Sequence, residues 1–211
     1  LDFFESLTGK SIDQARRVDF FASHEGLHLP YEQAQTRFLE HRQAWYDLTT
    51  HFPWIGVRTS RLDGAHVEFF RGIRNPVGVK IGPDTTPAFL RGLVAALNPD
   101  NEPGRLTLIH RLGAGRIRQV LPGLIDTVNE AGARVVWVCD PMHGNTETAS
   151  SGLKTRWVES ILGELDAAFE VHRAAGSHLG GVHLELTGDN VTECTGGARG
   201  LTESDLEPDY R

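Results

Sequence analysis

Glu25, Arg58, Lys80, Arg111, His143 and Glu185 each close a short, largely apolar run that reads as a β-strand: VDFFASHE, PWIGVR, PVGVK, LTLIHR, VVWVCDPMH and GGVHLE. Three of these six residues are cations. Arginine offers carboxylate or phosphate a planar fork of donors, and lysine offers a compact charge. Cations gathered at successive strand ends repel one another unless an anion lies between them. Arg58, Lys80 and Arg111 therefore suit a small anionic ligand, phosphate foremost; the other reading is an ion pair with Glu25 or Glu185. His143 and Glu185 pair an imidazole with a carboxylate, which suits a borderline divalent ion, Mn²⁺ ahead of Co²⁺, Fe²⁺ or Zn²⁺. Two ligands are too few for a tight site. A turn cap at His143 and a salt bridge at Glu185 thus stay open as the alternative. Cys139, Asp140, His183 and Asp189 stand nearby in sequence, but none combines the right parity with the right position, and Cys139 reads as a small buried hydrophobe. Glu25 is either an acid–base group or a holder of one of the cations.

Side chains so far apart in sequence can share a site only if the elements bearing them run parallel. The order of elements predicts this. Strands ending at Glu25, at 52–58, 77–81, 105–111, 134–140 and 181–187 alternate with helices predicted over 30–46, 61–73, 86–98, 115–131 and 152–175. Thr85 or Thr86 is set to cap the third helix, with Pro87 in its first turn. Pro122-Gly123 is expected to break or kink the fourth. Trp157, Ile161, Leu165 and Phe169 recur at fourfold spacing along the fifth, as one apolar face would. Residues 188–211 hold no convincing long element. Within the strands, Gly78 and Lys80 alternate with Val77, Val79 and Ile81; Thr107, Ile109 and Arg111 with Leu106 and Leu108; His183 and Glu185 with Val182, Leu184 and Leu186. The aliphatic sets suit packing under helices, and the others suit a barrel interior. The fold class expected is α/β, of the (β/α)₈ barrel type, with about six of the eight units present as strands three to eight.

The chain of 211 residues carries a formal charge of −7, which argues against nucleic acid as a partner. Its two cysteines, Cys139 and Cys194, make no disulfide framework, and a cytoplasmic location is expected. No apolar run approaches the length of about 18 residues that a membrane span requires. One domain, 1–211, is expected, incomplete at both ends; the chain starts at Leu1 and not Met.

The segments SHEGLHLPYEQAQTR, WIGVRT, LDGAH, NPVGVKIGP, LNPDNEPGRLTLIHRLG, CDPMHGNT, GLKTR, EVHRAAGSHLGGVHLELTGDNVTEC and GGARGLTESDL resemble, in this order, the class II 3-deoxy-D-arabino-heptulosonate 7-phosphate (DAHP) synthases. They cover nearly all of residues 18–206. The resemblance implies a metal-dependent condensation of phosphoenolpyruvate with erythrose 4-phosphate and water, releasing phosphate, at the first step of the shikimate pathway. It implies that Arg58, Lys80 and Arg111 grip phosphoenolpyruvate, that Lys80 and Glu25 serve catalysis, that His143 and Glu185 ligate a divalent metal, and that the protein is a homo-oligomer. It also implies that a further cysteine and aspartate ligand lie outside these 211 residues. One departure stands out: the acidic residue usual beside the first arginine is Val57 here. That departure keeps a second reading in view, a non-catalytic relative that binds a sugar phosphate or a full-length partner subunit.

Overall fold

The computed structural model describes residues 21–206. Its centre is a six-stranded, wholly parallel sheet of β1 (Ser23–Glu25), β4 (Phe52–Ile55), β5 (Val77–Ile81), β6 (Leu106–His110), β7 (Val136–Cys139) and β10 (Leu179–Val182), adjacent in that order. Parallel neighbours need crossovers. Four of the five are supplied by α2 (Ala65–Arg71), α3 (Pro87–Leu97), α4 (Ile117–Glu130) and α5 (Val158–Ala174), and the first by the segment between β1 and β4. The strand order follows the chain, as it does in a barrel wall. The arrangement is α/β and compatible with part of a (β/α)₈ barrel.

One sheet face is buried by the helices. Ile55, Val77, Val79, Leu106, Leu108, Trp137 and Cys139 meet Phe70, Leu90, Leu93, Leu97, Ile117, Leu121, Ile125 and Ala168 in a single cluster. In α3 the buried Leu90, Leu93, Val94 and Leu97 fall at helical spacing; truncating such a leucine to alanine costs about 2–5 kcal/mol. Thr86 caps that helix by accepting from the Phe89 amide, and Pro87 follows it, as the sequence predicts. On the opposite face Gly78 is required. A Cβ there would come within 2.9 Å of Phe52 and Trp54 and 3.0 Å of Ile109.

Several predicted boundaries are corrected. The helix expected over 30–46 stops after α1 (Leu29–Gln35), and an antiparallel hairpin, β2 (Thr36–Leu39) with β3 (Ala44–Asp47), takes its place. Phe38 and Trp45 sit opposite each other in it, with ring centroids 5.7 Å apart; aromatic cross-strand pairing outweighs the helix-forming glutamines. A single α-helix continues through Pro122, its buried Ile117, Leu121, Leu124, Ile125 and Val128 holding it to the core. The fifth helix starts at Val158, after a short ribbon of β8 (Glu147–Thr148) and β9 (Lys154–Thr155). Its buried stripe is Glu164, Ala167, Ala168, Val171 and His172, while Trp157 and Phe169 are exposed. Alanines let the helix lie close to the sheet, so the large side chains turn outward. The last strand begins at Leu179 and ends at Val182, short of the predicted 187, with a register shift between Leu179 and Gly181. Residues 18–20 of the first predicted strand lie outside the described residues.

His172 is almost wholly buried between Trp137 and His110. Burial, then the neighbouring His178, pushes its imidazole down to about 4. Its folded pKa is below the unfolded value near 6.5, so the associated stability is complete above about pH 6.5 and is lost as pH falls toward 4, about 3 kcal/mol in all. We expect His172→Gln to remove close to one proton from the pH slope of urea unfolding over that interval. An unchanged slope would contradict the assignment.

Candidate active site

The proposed residues gather at the C-terminal ends of the parallel strands, on the face away from the helices. Lys80, fourth in β5, is only 5% exposed, yet its ammonium is partnered: it donates to Asp140 Oδ2 at 2.5 Å, lies 3.2 Å from His183 Nε2, and stands 4.4 Å above the Trp54 ring. Asp140 follows β7 and is fully buried. Its carboxylate also meets His143 Nδ1, 2.9 Å from Oδ1 and 2.7 Å from Oδ2, and Oδ1 accepts from the Met142 and His143 amides. Burial alone would raise Asp140; hydrogen bonds from His143 and Lys80 and their charge override it and hold the carboxyl far below the usual carboxylate range. Burial, then Lys80, lowers His183.

His143 occupies a 3-10 turn, His143–Asn145, immediately beyond β7. With Nδ1 committed to Asp140, its Nε2 faces Glu185 Oε1 at 3.1 Å. Glu185 stands three residues past the end of β10 and is half exposed. Arg111 follows β6, donates through Nη2 to the His143 carbonyl at 2.5 Å, and keeps a buried Nε with no partner among the described residues. Lys80 and Arg111 share the wall of a cavity of about 410 Å³ with Val57, Arg61, Gly82 and Thr85. Arg58 lies in the 3-10 turn Val57–Thr59 and is exposed, outside that wall. Glu25 ends β1 opposite Trp54, its carboxylate so close to Gly56 that any Cβ there would overlap it.

Two loops are locked together beneath these side chains. Glu164 of α5, fully buried, accepts from the Leu112 amide at 2.8 Å and from Asn145 Nδ2 at 2.7 Å. Asn145 in turn accepts from the Ala114 amide at 2.9 Å. The segment after Arg111 is thereby tied to the turn that carries His143. This cross-tie and the bridging role of Asp140 escape sequence reading. Asp140 offered one signal, its nearness in sequence to His143; Glu164, inside a helix, offered none.

Comparison with known proteins is decisive at this point: the model of the class-II DAHP synthetase family matches residues 1–211. The chain belongs to that family. It is 48% identical over 212 residues to the phospho-2-dehydro-3-deoxyheptonate aldolase AroG of Mycolicibacterium smegmatis, covering 98% of this chain and 46% of that protein. It is 46% identical over 226 residues to the phospho-2-dehydro-3-deoxyheptonate aldolase of Neurospora crassa, covering 100% of this chain and 47% of that protein. A Streptomyces coelicolor protein of the same name is 48% identical over 207 residues, with 98% and 46% covered. The chain thus spans about half the length of the curated relatives it matches. Among the described residues no helix is long and apolar enough to cross a membrane.

Proposed function

We propose that this chain carries the phosphoenolpyruvate-binding part, and part of the metal site, of a DAHP synthase joining phosphoenolpyruvate to erythrose 4-phosphate with water and releasing phosphate. The observation that carries the reading is the convergence of Lys80 and Arg111 on one cavity, beside a His143–Glu185 pair on the same sheet face. In this reading the six strands are six of eight in a barrel, and residues 1–211 form one catalytic domain.

The residues fit a divalent ion. His143 Nε2 and Glu185 Oε1 are close enough to share one, and Asp140 fixes the opposite ring nitrogen, as carboxylates behind ligating histidines do. His143 and Glu185 would hold it, Mn²⁺ first among the candidates, and bound there it supplies Lewis-acid polarisation of an aldehyde oxygen. Everything else falls to the chain's own groups. Arg111, with its unpartnered Nε, and Lys80 hold the carboxylate and phosphate of phosphoenolpyruvate; Arg58 joins them from the neighbouring turn. Asp140 holds the Lys80 amine in place. Glu25, at the end of β1 and packed against Gly56, is assigned the proton transfer in this reading. A homo-oligomer is part of the same proposal, supported by Leu162 and Phe169, exposed one heptad apart on α5. So is a cytoplasmic setting, which the reduced, buried Cys139 suits.

The test is an assay of phosphate release and heptulosonate formation from the two substrates with Mn²⁺ present. Arg111→Met is expected to raise the KM for phosphoenolpyruvate about tenfold or more, the loss of one charge-assisted bidentate contact. An unchanged KM would remove Arg111 from the site. The second reading, binding without turnover, rests on Val57, which puts an apolar side chain in the cavity wall. Phosphoenolpyruvate binding with no product formed would favour it.

A further inference from the structure

On the helix side of the sheet, behind the candidate active site, His110, Cys139 and Glu164 place a ring nitrogen, a sulfur and a carboxylate oxygen all within 4.8 Å of one another. All three side chains are fully buried. Among the described residues both ring nitrogens of His110 lack any hydrogen-bond partner, and a buried polar group left unpaired costs about 1–3 kcal/mol. Nothing in the proposed condensation uses these residues. From this geometry we infer a second metal site, taking Zn²⁺ or Co²⁺ through His110, Cys139 and Glu164, distinct from the His143–Glu185 pair.

The donor set is the first argument. Thiolate, imidazole and carboxylate together select a borderline-to-soft divalent ion with tetrahedral preference, and discriminate against Mg²⁺ and Ca²⁺. Charge is the second: one thiolate and one carboxylate neutralise a dipositive ion, so the loaded site places no net charge in the core. Cys139 gives up its thiol proton to solvent as the sulfur–metal bond forms, and no redox change is involved. The surroundings are the third. Glu164 is already oriented by the Leu112 amide and the Asn145 side chain, yet each carboxylate oxygen has a second lone pair for an ion. Coordination gives one His110 nitrogen the partner it lacks. Tetrahedral ligands at about 2.0–2.3 Å from zinc stand roughly 3.3–3.8 Å apart, so closing the site takes side-chain shifts of about an ångström. A fourth position is left for a small exogenous ligand.

Glu164 is bonded to the segment after Arg111 and to the His143 turn, and all three side chains are fully buried, so the ion enters during folding or loop opening. The chain should therefore be refolded with Co²⁺, dialysed and examined by absorption. The expected result is a single retained equivalent with a thiolate-to-cobalt charge-transfer band. That band should persist in the His143→Ala/Glu185→Ala double variant and in Cys194→Ser, and vanish in Cys139→Ser. His110→Ser, shown by circular dichroism to be folded, should lose most of the retained cobalt. Absence of the band in the wild-type chain, or its survival in Cys139→Ser, overturns the inference. Either result leaves the substrate assay of the active-site reading untouched.

Discussion

Asp140→Asn is expected to destabilise the protein by about 3–5 kcal/mol, more than any other isosteric change in the site. Lys80 is 5% exposed and Asp140 not at all. Asparagine keeps the shape and an accepting oxygen but leaves the ammonium without its counter-charge in a poorly hydrated setting, the circumstance in which breaking a buried pair is most costly. A Lys80→Met/Asp140→Asn double variant removes both charges and should recover much of the loss, giving a coupling of about 2 kcal/mol or more in a double-mutant cycle. Urea unfolding near pH 7 measures it. Strictly additive effects, or a loss below about 1 kcal/mol for the single variant, would show that the pair is well hydrated. The pH dependence gives a second check. The folded pKa of Asp140 is depressed below the unfolded value near 3.9, so its contribution is complete above that pH and disappears as the folded carboxylate protonates. The gap between wild type and Asp140→Asn should hold from pH 7 to about 4 and narrow only below. His143 hangs from the same carboxylate, so its metal affinity should fall about 10–100-fold as well.

Gly144→Ala adds one methyl and is expected to disturb both halves of the site together. A Cβ on Gly144 would run into the backbone nitrogen of Gly113 and come within 3.0 Å of its Cα and 3.1 Å of the Leu112 carbonyl carbon. These are backbone atoms with no rotamer in which to retreat. Gly113 itself sits at φ +81°, where a side chain would be strained. The loops must part, and Arg111 on one and the His143 carbonyl it grips on the other move with them. We expect a stability loss of about 1–3 kcal/mol, the range for overpacking. A weakening of phosphate and Mn²⁺ binding by similar factors should accompany it. Calorimetric titration of each ligand separately is the measurement. Loss of one without the other would mean that the loops move independently.

How much of this was legible in the sequence follows from what each signal depends on. The strand at 77–81 was readable to the residue because all five positions are buried, giving an apolar run with one lysine in it. The Thr86 cap and Pro87 are local chemistry and were equally plain. The strand predicted to Arg58 stops at Ile55, and the one predicted to 187 stops at Val182. Alternation persists past the last ladder bond, because an extended tail has the same parity as a strand. The hairpin after Gln35 was hidden by helix-favouring glutamines and arginines, whereas its determinant is a pairing of Phe38 with Trp45 across a turn. The Lys80–Asp140 bridge spans 60 residues; no single-sequence pattern encodes a contact at that separation. His110, last residue of a strand beside an arginine, carried no mark of its isolation in the core.

Lys80 is borne by a five-residue strand buried at every position and paired on both sides, whereas Glu185 hangs from irregular, exposed chain beyond a strand that, among the described residues, is paired on one side only. The amide protons of β5 and β6 should consequently be among the slowest to exchange with deuterium, and those of 184–188 among the fastest, His183 being held by the Cys139 carbonyl. An incoming anion would meet donors already fixed in place and lose little ordering entropy, while a metal ion held between His143 and Glu185 must still the exposed segment that carries Glu185. The two ligands should therefore differ in tempo: anion association close to the encounter rate, and metal capture slowed by a step that saturates with concentration.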